Sequence, residues 1–248
     1  MTTGEPTKPS RRDTRRRETL AEIKSLAREQ LAEGGVGALS LRGVTREMGM
    51  APAAVYRYFS SQAELISALC VDGYAELGDA MAAAVESHAA DPADVRFWAA
   101  FHAFRRWALA NRNEFALLFG TPIPGFRAET EATGPAAGRV IAIVYTAFDE
   151  ALREGSADTD GCFSPVDPVP GELGAYFLFG QGGAQGLRRA AIAVNGFCSV
   201  LGFLVGEVFG SASRLIGSVD ELYAAHLRTV MVGMGFSRER VALLPDLA

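Results

Sequence analysis

Arg57 stands between Tyr56 and Tyr58 in the run PAAVYRYF, which opens at Pro52. A guanidinium can donate two parallel hydrogen bonds to a guanine edge, and a phenol can bond a phosphate oxygen. Ala53 and Ala54 let a backbone approach closely, and their methyls can touch a thymine methyl. Upstream, Ser40 and Arg42 bring a hydroxyl and a guanidinium to a predicted helix start, where backbone amides also favour a phosphate. Arg11, Arg12, Arg15, Arg16 and Arg17 add attraction to a polyanion whatever its sequence. This is chemistry of recognition, with no bond made or broken.

Other chemistries find little support. His88, His102 and His226 show no metal-ligand spacing, and no nucleophile elbow is present. The stretch AYFLFGQGGAQG offers Gly180 and Gly182, but a dinucleotide loop needs a third glycine where Gln185 stands. No strand–helix–strand unit surrounds it. Cys70, Cys162 and Cys198 are odd in number and far apart, which fits a reducing cytoplasm and no disulfide framework. No catalytic residue, metal or cofactor is expected, and an enzyme is not the preferred reading.

The net charge of −5 conceals an asymmetry. Residues 1–60 hold eleven Lys/Arg and seven Asp/Glu, a net +4, which leaves −9 for the remainder. A basic head on an acidic body points to a polyanionic partner for the head. The arginine cluster is followed by an amphipathic segment and not by an apolar leader with a cleavage site. Residues 190–209 are nearly long enough to span a bilayer, but Asn195 and Glu207 interrupt them. They are expected to form a buried helix, with no membrane partner.

These groups need elements to position them, and every long element reads as helix. Leu20, Ile23, Leu26, Ala27 and Leu31 recur at helical spacing over residues 14–33, before Gly34, Gly35 and Gly37. Ser40 is a good N-cap for a short helix over 41–48, facing inward with Leu41, Val44 and Met48. Gly49 ends it, and Pro52 opens a third helix to about Phe59. Ser60 or Ser61 caps a longer helix to Ser87. Further helices are expected over 92–110, 111–119, 135–154, 172–179, 187–209 and 219–233, with a loop over 155–171.

Two short helices joined through Gly49 and Met50 make a helix-turn-helix, whose second helix enters the major groove. Across residues 20–70 the chain resembles the DNA-binding region of TetR-family regulators. The resemblance lies in the apolar first helix, the glycine turn, the Ser-capped second helix and the recognition run ending VYRYF. It implies an all-α protein: a three-helix head, then a helical bundle for ligand binding and dimerisation. The DNA-binding residues would be Ser40, Arg42, Pro52, Ala53, Ala54, Tyr56, Arg57, Tyr58 and Gln62. Gln62 stands where the family usually has Lys, and Pro52, Ala53 and Ala54 make the recognition surface unusually apolar.

Residues 1–14 read as a basic tail, 15–61 as the DNA-binding head and 62–248 as the body. The segment LLFGTPIPGF resembles the signature of a subclass with a later W-x-x-x-H-G motif; here Ala191 and Asn195 replace the Trp and His, and Gly196 remains. A ligand pocket is expected from Phe97, Phe101, His102, Phe104, Tyr145, Phe148, Tyr176 and Asn195. Gly202, Gly206 and Gly210 recur every four residues and, with Leu222 on the last helix, are expected at a homodimer interface. The expected function is a ligand-responsive regulator, a repressor released from a palindromic double-stranded DNA operator by a small apolar or aromatic effector. The alternative is an architectural DNA-binding dimer without an inducer.

Overall fold

The computed structural model describes residues 10–120, 130–162 and 183–245. They form ten α-helices: α1 (Arg11–Gly34), α2 (Leu41–Glu47), α3 (Pro52–Val55), α4 (Gln62–Ser87), α5 (Ala93–Ala110), α6 (Arg112–Phe119), α7 (Thr130–Glu154), α8 (Gly183–Val208), α9 (Val219–Gly233) and α10 (Arg238–Ala242). Among the described residues the one extended pairing is an isolated antiparallel bridge between Ala157 and Phe236. The helix expected over 172–179, and with it Tyr176, lies outside the described residues.

The chain divides into two compact units, one from α1 through the first two turns of α4 and one from Cys70 onward. In the first, Ile23, Ala27 and Leu31 of α1 are buried with Leu41 and Val44 of α2, Val55 of α3 and Phe59. α1 begins at Arg11, so residues 11–14, expected in the tail, form its first turn. Ser10 explains this start: its Oγ accepts from the Asp13 N–H (3.2 Å) and donates to Asp13 Oδ2 (2.6 Å), capping the helix ahead of any apolar residue.

The second unit is built around α5, which packs against α7 and α8; α7 packs on α8, and α8 on α9. Its core holds Phe97, Trp98, Phe101 and Phe104 of α5, Phe115 of α6, Phe148 of α7, and Tyr223, Leu227 and Met231 of α9, with Phe197 and Leu204 of α8. Such close packing of large rings is the main stabilising term of this unit. α7 begins at Thr130 with Pro135 inside it, five residues before the expected start. At the sixth position proline lies beyond the first turn, so it forfeits the bond to the Glu131 carbonyl and crowds that carbonyl. α10 was not expected. Its Arg240 donates to both carboxylate oxygens of buried Asp94 (2.8 and 2.9 Å), and Trp98 Nε1–H donates to the Pro245 carbonyl (2.9 Å).

α8 holds a 24-residue segment, Gln185–Val208, long and apolar enough to cross a membrane, with 44% of its most apolar window buried inside the protein. Its one carboxylate, Glu207, is buried and accepts from Arg105 Nε of α5 (2.9 and 3.1 Å) and from its Nη2. The same guanidinium bonds Asp220 at the start of α9 and lies over the Tyr223 ring, 4.9 Å from its centroid. A buried charge keeps its cost down only when so paired. Gly196 is where α8 meets the end of α9: a Cβ there would stand 2.4 Å from Met234 Sδ.

Candidate nucleic-acid interface

The helix-turn-helix is set by its caps. α1 ends at Gly35: its N–H still bonds the Leu31 carbonyl (2.9 Å), and its φ of +65° then turns the chain out of the helix. Ser40 is extended and caps α2, its Oγ accepting from the Gly43 N–H (3.2 Å). Leu41, Val44 and Thr45 face inward, and Arg42 and Arg46 face solvent. After Gly49 the Met50 N–H returns to the Thr45 carbonyl (2.9 Å) and fixes the turn.

One residue that the sequence reading passed over holds this arrangement. Gln30 of α1 is nine-tenths buried. Its Oε1 accepts from the Ser40 N–H (3.0 Å), and its Nε2 donates to Glu47 Oε1 (3.0 Å). In a capping box the residue three places into the helix supplies the acceptor for the cap N–H. Here that residue is Gly43, and Gln30 supplies it from another helix. The exchange needs Gly43 bare, because a Cβ there would stand 2.7 Å from Gln30 Nε2. A signal was present: position 30 lies seven residues after Ile23, on the buried stripe of α1.

α3 itself is short. Ala51 is extended and Pro52 opens the helix. Regular α-helix ends at Val55, earlier than the expected Phe59, and turn bonds continue it: Tyr58 N–H to the Val55 carbonyl (2.8 Å) and Phe59 N–H to the same carbonyl (3.0 Å). Val55 and Phe59 are buried. Ala53 and Arg57 face solvent, Tyr56 is 49% exposed, and Ala54 and Tyr58 are half-buried. The guanidinium of Arg16 lies over the Tyr58 ring, 5.4 Å from its centroid. Gln62 is exposed at the start of α4. There Ser61 Oγ accepts from the Glu64 N–H (3.1 Å), and Glu64 Oε2 accepts from the Ser60 N–H (2.6 Å). The expected DNA-binding residues whose side chains are described therefore lie at the surface or partly so, on one short run of structure, over an apolar underside.

In the body the four expected pocket phenylalanines belong to one packed core, with His102 also buried and Tyr145 at its margin, whereas Asn195 stands outside it. Phe97 and Phe101 are buried in contact (centroids 4.9 Å), Phe104 stacks on Phe197 (5.6 Å) and Phe148 meets Phe236 (5.7 Å). His102 is buried between the rings of Trp98 (4.4 Å) and Tyr223 (5.3 Å). Tyr145 is half-buried, its phenol pushed up by burial and by nearby Asp149. Asn195 is exposed, because positions 194, 195, 198 and 199 form the outer face of α8. Gly202 is exposed on that face, while Gly206 and Leu222 are partly so. Gly210 is off the stripe: α8 has ended at Val208, and Gly210 turns the chain with φ +79°.

Comparisons agree with this architecture. Residues 23–69 match the family model described as bacterial regulatory proteins, tetR family, and residues 97–230 match that of the tetracyclin repressor-like C-terminal domain. The HTH-type transcriptional regulator Rv1816 of Mycobacterium tuberculosis is 40% identical over 150 residues, 60% of this chain and 62% of that protein. The matched region thus spans less than two thirds of the length of the curated relatives. The solved structure of the regulatory protein SCO4313 is 28% identical, with a TM-score of 0.67 over 90% of this chain and 99% of that one. RolR, solved in complex with resorcinol, shares the fold at 17% identity and a TM-score of 0.50, over 95% of this chain and 99% of that one.

Proposed function

This chain belongs to the TetR family of bacterial regulatory proteins, a family of regulators and not of enzymes, and we propose that it is a ligand-responsive transcriptional repressor. The observation that carries the reading is the division of α3 and its following turn: Val55 and Phe59 inward, Ala53, Tyr56 and Arg57 outward. That face suits a major groove, with Arg57 reading a guanine and Ala53 and Ala54 against thymine methyls. Ser40, Arg42, Pro52, Tyr56, Tyr58 and Gln62 complete the DNA contact set, mostly toward phosphates. The head is the unit that runs from α1 to Leu69, past the expected boundary at 61, and the body is the unit from Cys70 onward. The protein acts in the cytoplasm as a homodimer on a palindromic operator. Its pairing face is the outer side of α8 around Gly202 and Gly206, joined by Leu222 of α9. The partly exposed apolar residues Val194 and Phe209 support that choice.

The effector is small and apolar or aromatic. RolR, of the same fold, was solved with a phenol, and the α5 core here is rich in rings. Effector binding and operator binding weaken each other by the same factor. The mutual packing of Phe97, Phe101, Phe104 and Phe148 favours a second reading, a DNA-binding dimer without an inducer. The test is a fluorescence titration of the purified protein against DNA flanking its own gene, beside a random duplex. Tight binding to the flanking DNA alone, lost in Arg57→Ala, supports the regulator. Equal binding to both duplexes refutes operator reading. Release by none of a panel of phenols and other aromatics favours the second reading.

A further inference from the structure

The first turns of α1 carry an arrangement that folding does not explain. Residues 11–18 are all exposed, and the first buried residue of α1 is Ile23. Five of these eight residues are arginines. At helical spacing Arg11, Arg12, Arg15 and Arg16 share one face, with like charges at i, i+4 in the pairs 11/15 and 12/16. Like charges at that spacing destabilise a helix. Cations at a helix N-terminus also oppose the macrodipole, which favours anions there. Against this stand the Ser10–Asp13 cap and the stacking of Arg16 on Tyr58. The second contact joins this cationic face to the run that carries Arg57.

We propose that residues 11–17 are a second DNA-contacting element, laid along the sugar–phosphate backbone beside the groove that α3 enters, and that Arg16 is aimed at a phosphate by its stacking on Tyr58. The inference rests on the DNA-binding reading above. Phosphates remove the repulsion among the arginines, so the two turns become more firmly helical on DNA. Arg16 and Arg12 then carry affinity without sequence preference, while Arg57 carries the reading of bases. Tyr58 acts through Arg16, as a positioning residue.

The experiment is a salt series on the full-length protein with the flanking DNA and a random duplex, for wild type, Arg12→Ala, Arg16→Ala, Tyr58→Phe and Tyr58→Ser. Each arginine variant is expected to weaken binding to both duplexes by the same several-fold factor. Each lowers the slope of log affinity against log salt by about 0.9, the value for one phosphate contact. Tyr58→Phe keeps the ring and the salt slope and loses only the affinity of the phenol's own contact; Tyr58→Ser lowers the slope as Arg16→Ala does, and the slope of the two changes together falls no further than that of either. Amide exchange over residues 11–19 slows when DNA is added. Unchanged slopes and unchanged exchange in a protein that still binds the flanking DNA overturn the proposal and leave the regulator reading intact. A folded wild type that binds neither duplex overturns both.

Discussion

Gln30 and Gly43 form one device, and their coupling can be measured. In Gln30→Ala the Ser40 N–H loses its acceptor and Glu47 its donor. Leaving a partly buried N–H unsatisfied costs about 1–2 kcal/mol, and the bond to exposed Glu47 adds about 0.5 kcal/mol, so the loss is about 2 kcal/mol. Gly43→Ala is pulled two ways. Alanine in place of glycine favours the helix by about 1 kcal/mol. The new methyl, however, stands 2.7 Å from Gln30 Nε2 and displaces the amide. Displacement forfeits the same bonds, roughly 2 kcal/mol, for a net loss of about 1 kcal/mol. In the double variant no amide remains to displace, and the methyl adds helix propensity alone. Its loss is therefore about 1 kcal/mol, against about 3 kcal/mol for the sum of the single changes. Native-state amide exchange over residues 40–50 reads this locally, apart from the tryptophan-containing body. Additive effects within 0.5 kcal/mol would show that the methyl does not displace the amide, and an unchanged Gln30→Ala that Gln30 does not hold α2.

Two further outcomes follow from the body. Glu154 accepts from the Ala93 N–H (2.8 Å) at the start of α5 and pairs with Arg96 (2.8 Å), and these contacts, the first foremost, hold its carboxyl below the usual range despite partial burial. Its stabilising effect is complete above the ordinary glutamate pKa of about 4.3 and fades as pH falls through the lower folded value. Urea midpoints of wild type should therefore drop more steeply below about pH 4.3 than those of Glu154→Gln; parallel curves would remove Glu154 from the account. Cys198 is exposed on the outer face of α8, whereas Cys70 is buried with its thiol pushed up to about 11. A maleimide followed by peptide mapping should label Cys198 readily in dilute protein and slowly at concentrations that support pairing, with Cys70 inert throughout. Labelling of Cys198 at one rate at all concentrations would move the homodimer contact off α8.

Elements were legible where local chemistry decides them. The apolar stripe of α1, the Ser40 cap and the Pro52 start depend on neighbours in sequence, and the helices stand there. The early start of α1 escaped because arginines hide a helix from any apolar period, although Ser10 and Asp13 spell a cap. α10 escaped because a five-residue helix is held by partners such as Asp94, 146 residues away. Asn195, expected in a pocket, is exposed because the rotation of α8 turns it outward. Gly196, one residue on, matches the glycine of the W-x-x-x-H-G motif, and its use is the approach of Met234. Contacts between distant helices choose which face of an apolar helix is inside, and one sequence does not contain that choice in readable form.

The pairing of Arg105 with Glu207 also has an order in time. A ribosome releases α5 about a hundred residues before the end of α8, the two partners being 102 residues apart. When the bilayer-length segment of α8 emerges, the guanidinium that neutralises its carboxylate and the aromatic surface that covers its inner face have already been synthesised. A gene fragment that begins after α5 lacks both. It delivers an apolar rod with one bare carboxylate, a sticky species for chaperones and inclusion bodies, and any attempt to produce the body in pieces must keep α5 upstream of α8.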